Sequence, residues 1–192
     1  MNTSTSTASI DRAVQESWLK RYYLTRAAFS IAWLLAALGP GRQSPSMAAL
    51  LLIMYPAWDA LANLVDGRRS GGLARNRSQA FNVAVSLTVA GAVAVFLPDM
   101  HRVLAVFGAW AILSGLLQLG AALGRWKTAG AQWAMALSGA QSALAGAFFI
   151  YQAGMPVMPS IATVIGYAGF GAFYFLVSAL WLSTGGLRRK SA

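Results

Sequence analysis

The stretch VLAVFGAWAILSGLLQLGAAL, residues 103–123, decides the fold. It runs through 21 residues without a charged side chain. A helix needs roughly 20 such residues to cross about 30 Å of hydrocarbon. The run is continuously apolar, whereas a membrane barrel strand alternates. Five more segments read the same way: 22–39, 47–65, 80–98, 133–153 and 161–182. Turn chemistry separates them: Gly39-Pro40-Gly41, Pro98-Asp99, Gly154-Met155-Pro156 and Pro159. The expectation is an all-α integral membrane protein with six transmembrane helices in three hairpins.

Composition agrees. The chain is 57% hydrophobic and 10% charged, where soluble domains carry roughly 25% charged residues. The apolar excess is too large for one soluble core and suits a surface that faces lipid. The 192 residues divide into a polar amino-terminal segment, 1–21, one membrane domain, 22–182, and a basic tail, 183–192. Residues 1–17 hold no apolar core, so no cleavable leader is expected and the first apolar segment acts as a signal-anchor.

The basic residues fix the orientation. Six crossings put 13 of the 15 Lys and Arg residues on one face. They are Arg12, Lys20, Arg21 and Arg26; Arg68, Arg69, Arg75 and Arg77; Arg125 and Lys127; and Arg188, Arg189 and Lys190. Arg42 and Arg102 remain on the other. The positive-inside rule then predicts that both termini are cytoplasmic, in a bacterial inner membrane. Trp18, Trp126, Trp133 and Trp181 fall near the inner boundary, where indole prefers to sit. A net charge of +10 spread through such loops reads as a topology signal and not as a nucleic-acid footprint.

Internal similarity is present at two offsets. Ala57-Trp58 with Leu61 and Leu64 repeats as Ala109-Trp110 with Leu113 and Leu116. Ala90-Gly91-Ala92 with Phe96 repeats as Ala145-Gly146-Ala147 with Tyr151. The segments Phe107-Gly108-Ala109-Trp110-Ala111-Ile112-Leu113-Ser114-Gly115-Leu116 and Gly171-Ala172-Phe173-Tyr174-Phe175-Leu176-Val177-Ser178-Ala179-Leu180 resemble the repeated hairpin of the HdeD-like acid-resistance membrane protein family. The resemblance runs over residues 80–183. It implies a six-helix inner-membrane protein built from three short repeats, and a link to acid or general stress. It brings no catalytic or ligand residues with it. The departure is Asp59, where the repeat expects a small or apolar residue.

Of the five acidic residues only Asp59 lies well inside an apolar segment. An ionised side chain there costs at least about 2.5–3.5 kcal/mol, and such residues face the protein interior with a partner. Asn63 shares its helix face, and Pro56 removes a backbone donor just before it. Arg26 enters the first segment to a similar depth, so an Arg26–Asp59 pair locking the first hairpin is one reading. The other makes Asp59 a proton- or substrate-contacting carboxylate, with Asn63, Gln118 and Gln141 completing an intramembrane polar site. Ser114, Ser138, Ser142, Tyr174 and Ser178 sit at related depths, as a cytoplasmic vestibule or as ordinary interhelical hydrogen bonds. Small pairs Ala111/Gly115, Gly120/Gly124 and Ser142/Gly146 allow close packing, within the chain or in a homo-oligomer. His101, in the turn after Pro98, is a candidate pH sensor, because histidine changes charge in mild acid. Arg68, Arg69, Arg75 and Arg77, in a 66–79 loop expected to be flexible, are candidates for contact with anionic lipid headgroups.

Catalytic signatures are missing. There is no His-Glu-x-x-His, no Gly-x-Ser-x-Gly and no Walker loop. With no cysteine and one histidine, no thiolate or multi-histidine metal site can form within the chain, and no cofactor is expected. The reading is a non-enzymatic inner-membrane protein of acid or envelope stress tolerance. The alternative is a small proton or solute transporter with Asp59 as its functional carboxylate.

Overall fold

The computed structural model describes residues 3–69, 71–124 and 132–190. Six long helices and one short one account for nearly all of them: α1 (Thr3–Leu38), α2 (Pro40–Gln43), α3 (Pro45–Arg69), α4 (Arg77–Phe96), α5 (Met100–Gly124), α6 (Gln132–Ala153) and α7 (Ile161–Lys190). Five segments are long and apolar enough to cross a membrane: Ser17–Gln43, Pro45–Arg69, Arg77–Phe96, Met100–Gly120 and Ile161–Trp181. The chain is an α-helical membrane protein. The segment expected at 133–153 lies within α6 and is not among those five.

Local chemistry sets the helix ends. Ser44 is extended, and its Oγ accepts from Met47 N at 3.3 Å to open α3. Asn76 Oδ1 accepts from Gln79 N at 3.3 Å to open α4. Asp99 Oδ1 accepts from His101 N at 3.0 Å and Arg102 N at 3.2 Å to open α5. Ser160 Oγ accepts from Ala162 N at 3.3 Å to open α7. Each side-chain oxygen satisfies an amide that the first helical turn leaves unpaired. α1 starts at Thr3, well before the first apolar segment, because no glycine or proline interrupts residues 3–38. α3 continues through Pro56, which is buried inside it.

The chain forms two compact units. The first joins α1 up to Leu35 with α7 from Ala168; the second runs from Ala36 to Tyr167. In the first, Tyr23 stacks on Phe175 with ring centroids 6.3 Å apart, and the Arg26 guanidinium lies 4.3 Å over the same ring. In the second, Trp110 is the aromatic hub. It meets Tyr55 edge-on at 6.0 Å, Phe107 at 5.9 Å and Tyr167 at 6.4 Å. Such pairs contribute about 0.5–1.5 kcal/mol each beyond burial.

The second unit contains two antiparallel hairpins, α3–α4 and α5–α6. Between α5 and α6 the backbones touch. A Cβ on Gly115 would stand 2.5 Å from Gly139 O, and one on Gly146 would stand 2.5 Å from Gly108 O. Lipid gives helices no hydrophobic reason to associate, so close van der Waals packing carries the pairing. The expected small pairs thus divide. Ala111, Gly115, Ser142 and Gly146 belong to this seam, joined by Gly108 and Gly139. A Cβ on Gly120 would meet nothing within 4 Å, so that residue stands off the seam.

Candidate intramembrane polar site

α3 carries Asp59 and Asn63 one turn apart. Asn63 Nδ2 donates to Asp59 Oδ2 at 2.9 Å and to the Asp59 carbonyl at 2.8 Å. From α4, Ser86 Oγ donates to the same Asp59 Oδ2 at 2.8 Å. Ser86 is 1% exposed and Asn63 6%, while Asp59 is half-buried. A buried hydroxyl and amide would cost about 1–3 kcal/mol if left without an acceptor. One side-chain oxygen of Asp59 accepts from both. Asp59 therefore ties α3 to α4.

Ser86 was not foreseen. Its signal lay in the topology: few residues separate the end of α3 from the start of α4, so Asp59 and Ser86 are nearly equidistant from that connection along the two helices. One heptad nearer the turn the pattern recurs, with Gln79 Nε2 donating to Asp66 Oδ2. The expected 66–79 loop is mostly helix, since α3 runs to Arg69 and α4 begins at Arg77, and main-chain bonds lace the turn between them. Gly72 N donates to Gly67 O at 2.9 Å, and Asn76 N to Gly72 O at 3.1 Å. Gly71 and Gly72 take positive φ, at 95° and 92°, which L side chains rarely adopt. The turn presents Arg68, Arg69, Arg75 and Arg77, all exposed.

The other expected site residues lie on other helices. Arg26 belongs to the first unit, where Nη1 donates to Tyr22 Oη at 2.9 Å. Gln118 is on α5, and its Cβ lies 3.3 Å from where a Gly139 Cβ would stand. Gln141 is half-buried on α6. Ser142 makes the polar link of the second hairpin, donating to Ala111 O at 3.0 Å and lying 3.1 Å from Tyr167 Oη. Ser178 instead donates to Tyr174 O of its own helix at 2.8 Å. His101 is half-buried, with Nδ1 3.1 Å from Ala153 O at the end of α6, so its ring links the ends of that hairpin. Arg125, Trp126 and Lys127 lie outside the described residues, as do the side chains of Arg12, Trp133, Arg188, Arg189 and Lys190.

No curated protein and no solved structure shows a match to this chain. One family model does: residues 83–151 match a short repeat of unknown function, DUF308, the family to which HdeD belongs. The matched residues run from the first turns of α4, through α5, to the last turn of α6.

Proposed function

We propose that this chain is a non-enzymatic bacterial inner-membrane protein serving acid or envelope stress tolerance. It crosses the membrane six times as three hairpins, with both termini cytoplasmic. The charge asymmetry supports the orientation, and the DUF308 match supports the family connection. The observation that carries the structural reading is Asp59 itself. Its Oδ2 accepts from two buried donors and so acts as a latch between α3 and α4. The repeat is supported by position: the offset that aligns Trp58 with Trp110 aligns Asp59 with Ala111. Each of these residues accepts a serine hydroxyl from the facing helix, Asp59 through its carboxylate and Ala111 through its carbonyl. The arginines of the 68–77 turn contact anionic lipid headgroups.

The second reading is a small proton or solute transporter with Asp59, Asn63, Gln118 and Gln141 along its path. The half-buried state of Asp59 within a membrane span favours it. Proton flux into liposomes, read by an internal pH dye, separates the two. The structural reading expects no flux above empty liposomes from wild type or Asp59→Asn. Flux in the wild type that vanishes in a folded Asp59→Asn protein overturns it. Survival of acid-challenged cells with and without the chain tests the stress role directly.

A further inference from the structure

The second unit has a pocket of about 540 Å3 at the end opposite the arginine turn. Arg42, Gln43 and Ser160 supply its polar lining, and Leu52, Met100 and Ile161 part of its apolar wall. Leu52 is fully buried and Ile161 nearly so. Small-molecule sites commonly have volumes of about 300–1,000 Å3 and this mixture of a large apolar wall and few polar groups.

Arg42 is the informative residue. Among the described basic residues of this unit, only Arg42 and Arg102 belong to this end of the helices. Arg102 is matched, its Nε lying 3.1 Å from Asp99 Oδ2. Asp99 is already committed to that pair and to the first amides of α5. Arg42 is exposed, and among the described residues no carboxylate lies within ion-pair distance of it. Its seat is built. A Cβ on the buried Gly41 would stand 3.0 Å from Ala36 O and from Leu51 Cδ1, so glycine lets α2 settle closely onto α3. The pocket wall also includes the first residues of α3, α5 and α7, namely Pro45, Met100 and Ile161. Each long helix brings a positive partial charge at that end. Nothing negative lines the pocket.

We infer that this pocket binds an oxyanion, a phosphate or carboxylate group. The Arg42 fork supplies the charge, and the Gln43 amide and the Ser160 hydroxyl proton supply neutral donors. A guanidinium matches such an anion with two parallel hydrogen bonds. The apolar wall receives the chain of an amphiphile when the anion is a lipid headgroup. A free anion uses the polar side alone.

The test uses the purified, delipidated full chain. Native mass spectrometry reads retained phosphatidylglycerol against phosphatidylcholine, and calorimetry reads inorganic phosphate. The wild type retains phosphatidylglycerol over phosphatidylcholine, and Arg42→Gln lowers that retention about tenfold, the scale of one charge-assisted contact. Ala49→Leu, which fills the pocket without changing charge, lowers it as well, and Arg102→Gln leaves it unchanged. The arginine turn is common to all variants, so differences between them read the pocket. Phosphatidylglycerol retention without a phosphate signal assigns the site to a lipid headgroup. A phosphate signal lost in Arg42→Gln assigns it to the anion alone. Equal binding by monodisperse wild type and Arg42→Gln, or no binding of either probe by the wild type, overturns the inference.

Discussion

The hairpins α3–α4 and α5–α6 keep the same kind of register and fill it with opposite chemistry. In the first, Asp59 faces Ser86 and Asp66 faces Gln79, one heptad apart. In the second, His101 meets Ala153, Gly108 meets Gly146 and Gly115 meets Gly139, again at heptad steps. A seven-residue repeat keeps one stripe of each helix on its partner when the pair coils left-handedly, the commonest arrangement in membranes. The first hairpin places hydrogen-bonding side chains on that stripe. The second, beyond the His101 ring at its end, removes side chains from it, so that main chain meets main chain at Gly108/Gly146 and Gly115/Gly139. A latch of side chains tolerates small displacements, whereas contacting backbones have no atom that can rotate away.

This contrast can be broken experimentally. The largest effect belongs to Gly115→Leu, whose first carbon would already stand 2.5 Å from Gly139 O and 2.6 Å from Ala143 N. Overpacking of this kind should cost about 3 kcal/mol or prevent folding. Denaturant titration of the detergent-solubilised protein measures the loss, and a near-native midpoint would show that the seam is looser than described. Asp59→Ala comes next, at about 1–3 kcal/mol, because it strands a buried Ser86 hydroxyl and leaves the Asn63 amide only the main-chain carbonyl of residue 59. The same titration checks it.

Ser86→Ala should cost only about 0.6 kcal/mol, the average for a hydrogen bond between membrane helices. Combined with Asp59→Ala in a double-mutant cycle, it should show coupling of that order. Additive losses would mean that the two groups do not act as one latch. The smallest effect is expected from Gly120→Ala, where a Cβ meets nothing. Its stability should equal or exceed that of the wild type by up to about 1 kcal/mol, since alanine is the better helix former. Marked destabilisation there would extend the glycine seam beyond Gly115.

Most of the helical architecture was legible because each apolar run is long and each break carries its own turn residues. Asp59 and Asn63 were legible as a pair because both lie on one helix at a four-residue spacing. Ser86 was not, because its hydroxyl sits among Val85, Leu87 and Thr88 and only a facing helix gives it a role. The glycine seam was half legible. Four-residue small pairs pointed to Gly115 and Gly146, while the true spacing of seven, which adds Gly108 and Gly139, belongs to a pair of helices and not to one. Gly120 shows the converse, since a small residue at a plausible spacing has no partner backbone against it. Arg42 was visible only as an exception to the charge rule until the pocket beside it appeared.

The sequence by itself determined that the chain is helical, that it belongs in a membrane, and which carboxylate within an apolar segment needs an explanation. Hydrocarbon thickness and the cost of charge act on one segment at a time, so one segment is enough to read them. Only the tertiary structure decided that Asp59 answers Ser86, that α5 and α6 meet through glycines, and that Arg42 lines a pocket with no acid in it. Those facts depend on the register between helices. Register follows from how two surfaces fit together, and no single helix carries that information.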